Sequence, residues 1–196
     1  MGKLFHNTGK FEQALVHLQT VVDVLRGMVD DGTAETRKRI IRLPEMLQVQ
    51  GNCLMQLGRN EEAKVKFEEA LSLAPEDTEV LSLMGRISYA CGEYDQAVEM
   101  LQRLRRLSPD AWFTELLLAM CLYQLHRDRE AFDTVNCAIS AHGNDLGLYI
   151  LKMQILLRNE LYDEVHEILD FLKESGAPED ISLDFIRAEL TELEKK

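Results

Sequence analysis

Between Glu45 and Leu73 the apolar positions fall into two blocks separated by a polar break. The first carries Met46, Leu47, Val49, Leu54, Met55 and Leu57. Gly58-Arg59-Asn60 interrupts it, and the second carries Ala63, Val65, Phe67, Ala70, Leu71 and Leu73 before Pro75. Apolar residues three and four apart share one face of a helix, so each block predicts an amphipathic helix. Glycine after a periodic run ends a helix because it enters the left-handed conformation without a Cβ penalty, and proline stops the second block. The expected unit is a pair of antiparallel helices joined by a tight turn.

The same layout recurs at a fixed interval. Gly51 and Gly85, Gly58 and Gly92, Ala63 and Ala97, and Pro75 and Pro109 are each 34 residues apart. A fixed period in this range predicts stacked repeats, in which each unit buries its apolar face against its neighbours. The small residues predict the packing. Gly51 and Ala63 let two helix backbones approach and Phe67 fills the space one turn later; Gly85, Ala97 and Leu101 repeat the arrangement. Asp77, Asp110, Asp145 and Asp180 stand where helix N-caps are expected, since a short carboxylate accepts from the free N–H groups of a first turn.

These residues resemble the tetratricopeptide repeat family. Its small residue in the first helix is matched by Gly51 and Gly85, with Ala119 in that place in the third unit. Its second-helix alanines are matched by Ala63, Ala97 and Ala131, then Ala70 and Ala138, and its proline by Pro75 and Pro109. The unit 146–179 departs from the pattern, with Met153 for the glycine and Val165 for the alanine, while Tyr162 and Leu169 fit. The resemblance implies an all-α fold, a right-handed superhelical α-solenoid of antiparallel helix-turn-helix repeats. The chain then divides as a single array. A partial first repeat occupies 1–29, an inserted turn and helix 30–43, four repeats 44–77, 78–111, 112–145 and 146–179, and a C-terminal cap helix 180–196. Val21–Val29 is expected to extend the partial repeat's helix, Asp30-Asp31-Gly32 to turn the chain, and Thr33–Leu43 to form the inserted helix.

In this family the free positions of the first helices line a concave groove, and the resemblance places Asn52, Met55, Arg86, Tyr89, Phe113, Leu116, Met120, Tyr123, Gln154, Leu157 and Arg158 there. The segment Trp112–Tyr123 is apolar nearly all round, which calls for burial on every side. A first helix inside an array has one side open. Either a partner segment covers Phe113, Leu116, Met120 and Tyr123, or tighter local curvature does. The expected function is a protein–protein interaction scaffold or adaptor that takes a peptide or amphipathic helix of a partner. The alternatives are a chaperone-like holder of hydrophobic client segments and a non-catalytic regulatory module of a larger enzyme. Chaperone-binding members clamp a C-terminal carboxylate with basic residues. Asn52 fits one clamp position, but Gln48, Leu83, Phe113 and Leu117 stand at the others, which argues against an acidic tail as ligand.

Charge and chemistry narrow this further. Thirty-four acidic against 22 basic residues give a net charge of −12, which repels nucleic acid and anionic lipid. Arg37-Lys38-Arg39 with Arg42 is the one basic cluster and reads as a solvated helix face. No apolar run is long enough to span a bilayer. Cys53, Cys91, Cys121 and Cys137 form no CxxC pair. Cys53 and Cys121 are two periods apart, as recurrent small core positions would be. Buried free thiols fit a reducing compartment, and a cytoplasmic location is expected. No two histidines lie four apart, and no phosphate loop, nucleophile elbow or HExxH motif occurs. Neither catalysis, nor a cofactor, nor a metal is expected. Phe5 and Phe11 at the N-terminal edge offer a surface for a homodimer.

Overall fold

A computed structural model of the chain describes residues 10–28, 33, 41–109, 112–143, 145–176 and 181–195. The side chains of residues 112, 142, 181 and 182 are also outside the description. The expected turn at 30–32, most of the helix expected over Thr33–Leu43, the basic run 37–39, Phe5, and the caps Asp110 and Asp180 lie outside the described residues.

Ten helices and no strand occur among the described residues: α1 (Phe11–Arg26), α2 (Leu43–Gln56), α3 (Asn60–Leu73), α4 (Thr78–Ala90), α5 (Tyr94–Leu107), α6 (Trp112–Gln124), α7 (Asp128–His142), α8 (Leu146–Arg158), α9 (Tyr162–Glu174) and α10 (Ile181–Leu193). They group into two compact units, Met1–Leu107 and Ser108–Lys196. Two boundaries differ from the sequence reading. α1 ends at Arg26 with Gly27 as its C-cap, short of Val29. Ile41 and Arg42 form a turn, and Leu43 opens α2 with Pro44 in its first turn, where the missing N–H of proline costs nothing.

The first unit is built on small-to-large contacts between paired helices. A Cβ placed on Gly51 of α2 would stand 2.3 Å from Cε1 of Phe67 in α3, and one on Gly85 of α4 2.7 Å from Cδ2 of Leu101 in α5. Ala63, Phe67, Ala70 and Ala97 are fully buried beside them. Ala14, Leu18 and Val22 of α1 join the same core, so the partial repeat is packed as a repeat's second helix would be. Val65 and Leu73 do not belong to the buried stripe of α3; they are 58% and 51% exposed. Isolated apolar residues on a solvated face are common, and helical spacing alone does not separate them from core. In the second unit Met153, Leu156 and Leu157 of α8 pack with Val165, Leu169 and Leu172 of α9 and with Leu183, Ile186 and Leu190 of α10.

Each helix pair is joined by the same turn. The N–H of Arg59 bonds to the carbonyl of Leu54 at 2.9 Å and that of Gly58 to Met55 at 3.0 Å. The pairs Glu93–Ser88 with Gly92–Tyr89, Arg127–Leu122 with His126–Tyr123, and Leu161–Leu156 with Glu160–Leu157 repeat it at 2.8 to 3.1 Å. These are the paired bonds of a Schellman closure, which needs a left-handed residue just past the helix. Gly58 and Gly92 supply φ of 72° and 79°; His126 and Glu160 adopt 56° and 59° despite their side chains. Replacing His126 or Glu160 with glycine therefore removes a steric penalty, and each variant is expected to gain about 0.5–1 kcal/mol of stability in denaturant unfolding. Asp77 Oδ1 accepts from the N–H groups of Glu79 and Val80 at 3.0 Å each, and Asp145 Oδ1 from that of Gly147 at 2.8 Å, so both described caps form as expected.

The cysteines are all free. Cys53 and Cys121 are fully buried, and burial pushes their thiols up to about 11 and about 12. Cys91 is raised by burial first and then by the nearby Glu61 and Glu93 carboxylates. Cys137 is exposed. A thiol reagent at pH 8 is expected to titrate Cys137 first in the native protein and to reach Cys53 and Cys121 only after denaturant. Prompt reaction of all four would contradict the burial.

Candidate functional site

The groove positions expected from the sequence are distributed over both units. In the first, Asn52 and Met55 are half-buried one turn apart on α2, with Met55 resting against the core. Gln48, a turn earlier, is only 7% exposed. On α4, Arg86 is exposed and Tyr89 half-buried, its ring 5.6 Å from that of Tyr94 at a tilt of 59°. Tyr94 opens α5, so this aromatic pair bridges one helix pair across its turn.

In the second unit α6 divides its apolar surface. Thr114, Leu117, Leu118, Ala119, Cys121 and Leu122 are buried. Phe113 remains 43% exposed, and Leu116, Met120 and Tyr123 are half-buried. These four follow each other by three, four and three residues, which sets them in one stripe along the helix. The start of α8 lies against this stripe: a Cβ on Gly147 would stand 3.6 Å from Cδ2 of Leu116, an ordinary van der Waals contact. Ile150 and Gln154 are half-buried on α8. Leu157 is 4% exposed and belongs to the core shared with α9 and α10, so it does not line an open surface.

Tyr123 and Arg158, both expected to face a ligand, face each other. The Arg158 guanidinium lies 3.3 Å from the centroid of the Tyr123 ring. Its Nη1 donates to the Tyr123 carbonyl at 2.6 Å and to Asp128 Oδ1 at 2.9 Å. Asn159 Nδ2 donates to Asp128 Oδ2 at 3.2 Å. The end of α6, the start of α7 and the end of α8 are thereby tied together. Sequence reasoning had no route to this cluster, because its hydrogen bonds join residues 30 to 35 apart and follow no local spacing rule.

No group of three or more histidine, cysteine or acidic residues able to hold a metal ion occurs among the described residues. No described helix is long and apolar enough to cross a membrane.

Paired helices closed by a repeated Schellman turn, with a small residue of the first helix against a large one of the second, define an all-α repeat protein of the α-solenoid class. Residues 54–114 match the tetratricopeptide repeat family. Those residues carry the family's repeat. Human protein O-mannosyl-transferase TMTC1 is 28% identical over 120 residues, covering 61% of this chain and 14% of that protein. Mouse interferon-induced protein with tetratricopeptide repeats 3 is 23% identical over 169 residues, covering 85% of this chain and 40% of the relative. The chain thus spans well under half the length of these relatives. A crystal structure of a tetratricopeptide repeat protein from Parabacteroides merdae ATCC 43184 superimposes with a TM-score of 0.81 at 17% identity, over 100% of this chain and 71% of that one, which is a likeness of fold.

Proposed function

We propose that this chain is a non-catalytic protein-interaction module that holds a peptide or amphipathic helix of a partner against its first helices. The observation that carries the reading is the stripe on α6. Phe113 keeps 43% of its surface exposed, with Leu116 and Met120 half-buried behind it. Flexible methionine and aromatic side chains suit a surface that adapts to an apolar partner. Gln154 on α8 supplies a polar edge to this surface in the second unit. Asn52, Met55, Arg86 and Tyr89 supply the corresponding positions in the first.

The test is recovery of interactors by wild type and Phe113→Glu side by side, after equal helicity is verified by circular dichroism. A partner held by wild type and lost from the variant supports the stripe as the site; equal recovery from both overturns it. One defined partner favours the adaptor reading, and a broad set of unfolded clients favours the chaperone-like one. Self-association through the N-terminal edge at Phe5 and Phe11 predicts a dimer in light scattering. A second reading, a recruiting module within a larger enzyme, draws on the match to 14% of a much longer protein named as a transferase. It predicts that the full-length protein recruits its substrate less well when Phe113→Glu is introduced, with turnover of a free small acceptor unchanged.

A further inference from the structure

Helix α10 keeps the register of the first helices. Its buried residues Leu183, Ile186 and Leu190 stand 35 residues after Leu148, Leu151 and Ile155, which are buried in α8. The same step carries Met153, in the column of Gly51 and Gly85, onto Ala188. In the first unit that column faces the second helix of its own pair. In α10 it is open: Ala188 is exposed, with the exposed Asp184 and Thr191 four residues before and three after it on the same side. Such a polar face is at home in water. Phe185 is not explained in this way. It is 65% exposed, and it stands 35 residues after Ile150, which stands 34 after Leu116.

Phe185 is therefore the α10 counterpart of two half-buried residues on the groove side of α6 and α8. α8 lies against α6 and against α10. Its start meets Leu116, and Ile150 packs on the core that holds Leu183 and Ile186. Leu116, Ile150 and Phe185 thus form one apolar row across three neighbouring helices. The spacing of the row selects the shape of what covers it. Packed helices lie about 8–10 Å apart, which an α-helix climbs in about six or seven residues, and the seventh side chain returns to the same face. An extended chain covers that distance in about three residues, and the third side chain points to the opposite face. A helix with apolar residues seven apart matches the row, and a strand does not.

The charge beside the row selects the partner's sign. The same steps carry Met120 onto Gln154 and Gln154 onto Glu189, with Glu192 one turn further along α10. Neither glutamate makes a hydrogen bond or ion pair within the described residues. Arg187 is held by Asp184 at 3.0 Å and Arg158 by Asp128 at 2.9 Å, and Lys195, past the end of α10, pairs with neither glutamate. The unit as a whole, Ser108–Lys196, has 18 acidic against 8 basic residues. Its field draws cations to this face and repels acidic segments.

We propose that α6, α8 and α10 together take a basic amphipathic helix of a partner protein. It lies across the three helices, with apolar side chains seven residues apart on Leu116, Ile150 and Phe185 and Lys or Arg beside Glu189 and Glu192. This rests on the reading of α6 as a partner surface and extends that surface to α10.

The experiment is fluorescence anisotropy of the full chain with a labelled, amidated peptide of about 18 residues, long enough to carry three anchors seven apart. The peptide has Leu on one helical face and Lys and Ala on the other. Its controls are a Glu-for-Lys counterpart and a scrambled Lys peptide of the same composition without an apolar face. Wild type is expected to bind the patterned Lys peptide at least about tenfold more tightly than either control. Phe185→Ala is expected to weaken binding about tenfold with the melting temperature unchanged, since the ring meets the ligand and not the core. Glu189→Gln with Glu192→Gln is expected to weaken it several-fold and to flatten its dependence on salt. No binding by wild type, or equal binding of either control, overturns the proposal. So does a Phe185→Ala variant that binds as wild type does, or one that melts lower. If Phe113→Ala weakens binding and Phe185→Ala does not, the α6 reading stands and the extension to α10 falls; if neither weakens it, both fall.

Discussion

Phe67→Ala is expected to cost about 3–5 kcal/mol, the range for truncating a fully buried phenylalanine, and to be the most damaging single truncation in the first unit. The ring is enclosed by the α2 backbone at Gly51, where no side chain exists to close in behind it. That geometry makes a sharper prediction possible. In the wild-type background Gly51→Ala drives a methyl to 2.3 Å from Phe67 Cε1, and the ring, fully buried, has no free space to enter. Overpacking costs about 1–3 kcal/mol, which outweighs the roughly 1 kcal/mol by which alanine favours helix over glycine. In the Phe67→Ala background the methyl meets a cavity, and the same Gly51→Ala change should stabilise by about 1 kcal/mol. The four proteins of this cycle, unfolded by denaturant and followed by circular dichroism, therefore test for a reversal of sign. Equal destabilisation in both backgrounds would mean that the close approach is not what glycine provides. At Gly85 the obstructing atom is the end of a flexible leucine at 2.7 Å, so Gly85→Ala should cost less than Gly51→Ala.

The Gly51–Phe67 pair also shows why so much of this fold can be read from sequence. Small residues recur in one column of the period because backbones must approach there, and aspartates recur at helix starts because N–H groups need an acceptor. Both constraints are local and leave fixed residue types behind, as Gly51, Gly85, Asp77 and Asp145 do. The turn is legible only where glycine marks it. His126 and Glu160 occupy the same left-handed position as Gly58 and Gly92, held there by the hydrogen bonds of the turn, and nothing in their residue type announces it. Exposure was harder still. Val65, Leu73 and Leu157 all have helical spacing, yet the first two are exposed and the third is core, because the outcome depends on which neighbouring helix lies over each face. The candidate stripe at Phe113, Leu116 and Met120 was legible from excess hydrophobicity. The link from buried Gln50 through Gln19 to Asp23 was not, since it joins three side chains on two helices.

Arg158→Ala is expected to lower stability by about 2 kcal/mol, because two hydrogen bonds from a charged donor and a ring contact are lost together. The guanidinium and Asp128 are both shielded, with side-chain exposures of 26% and 20%, so their pairing is screened less than a surface ion pair. Truncation leaves Asp128 with only the weaker donation from Asn159 and leaves the Tyr123 carbonyl with only the turn N–H of His126. Arg158→Lys should recover only part of the loss. An ammonium restores charge near Asp128, but it lacks the planar fork that covers the ring and reaches two acceptors at once. Asp128→Asn should be milder than Arg158→Ala, and the double variant less than additive, since both changes break the same bond. These outcomes separate the two roles open to Arg158. A ligand-facing arginine would leave the melting temperature unchanged on truncation and reduce only partner binding. A clamp between the ends of α6 and α8 would lower the melting temperature by roughly 4–8 °C for 2 kcal/mol in a chain of this length, whether or not a partner is present. The contacts made by Arg158 inside the second unit favour the clamp. Partner recognition at Phe113, Leu116 and Met120 would then depend on Arg158 only through the support it gives to α6.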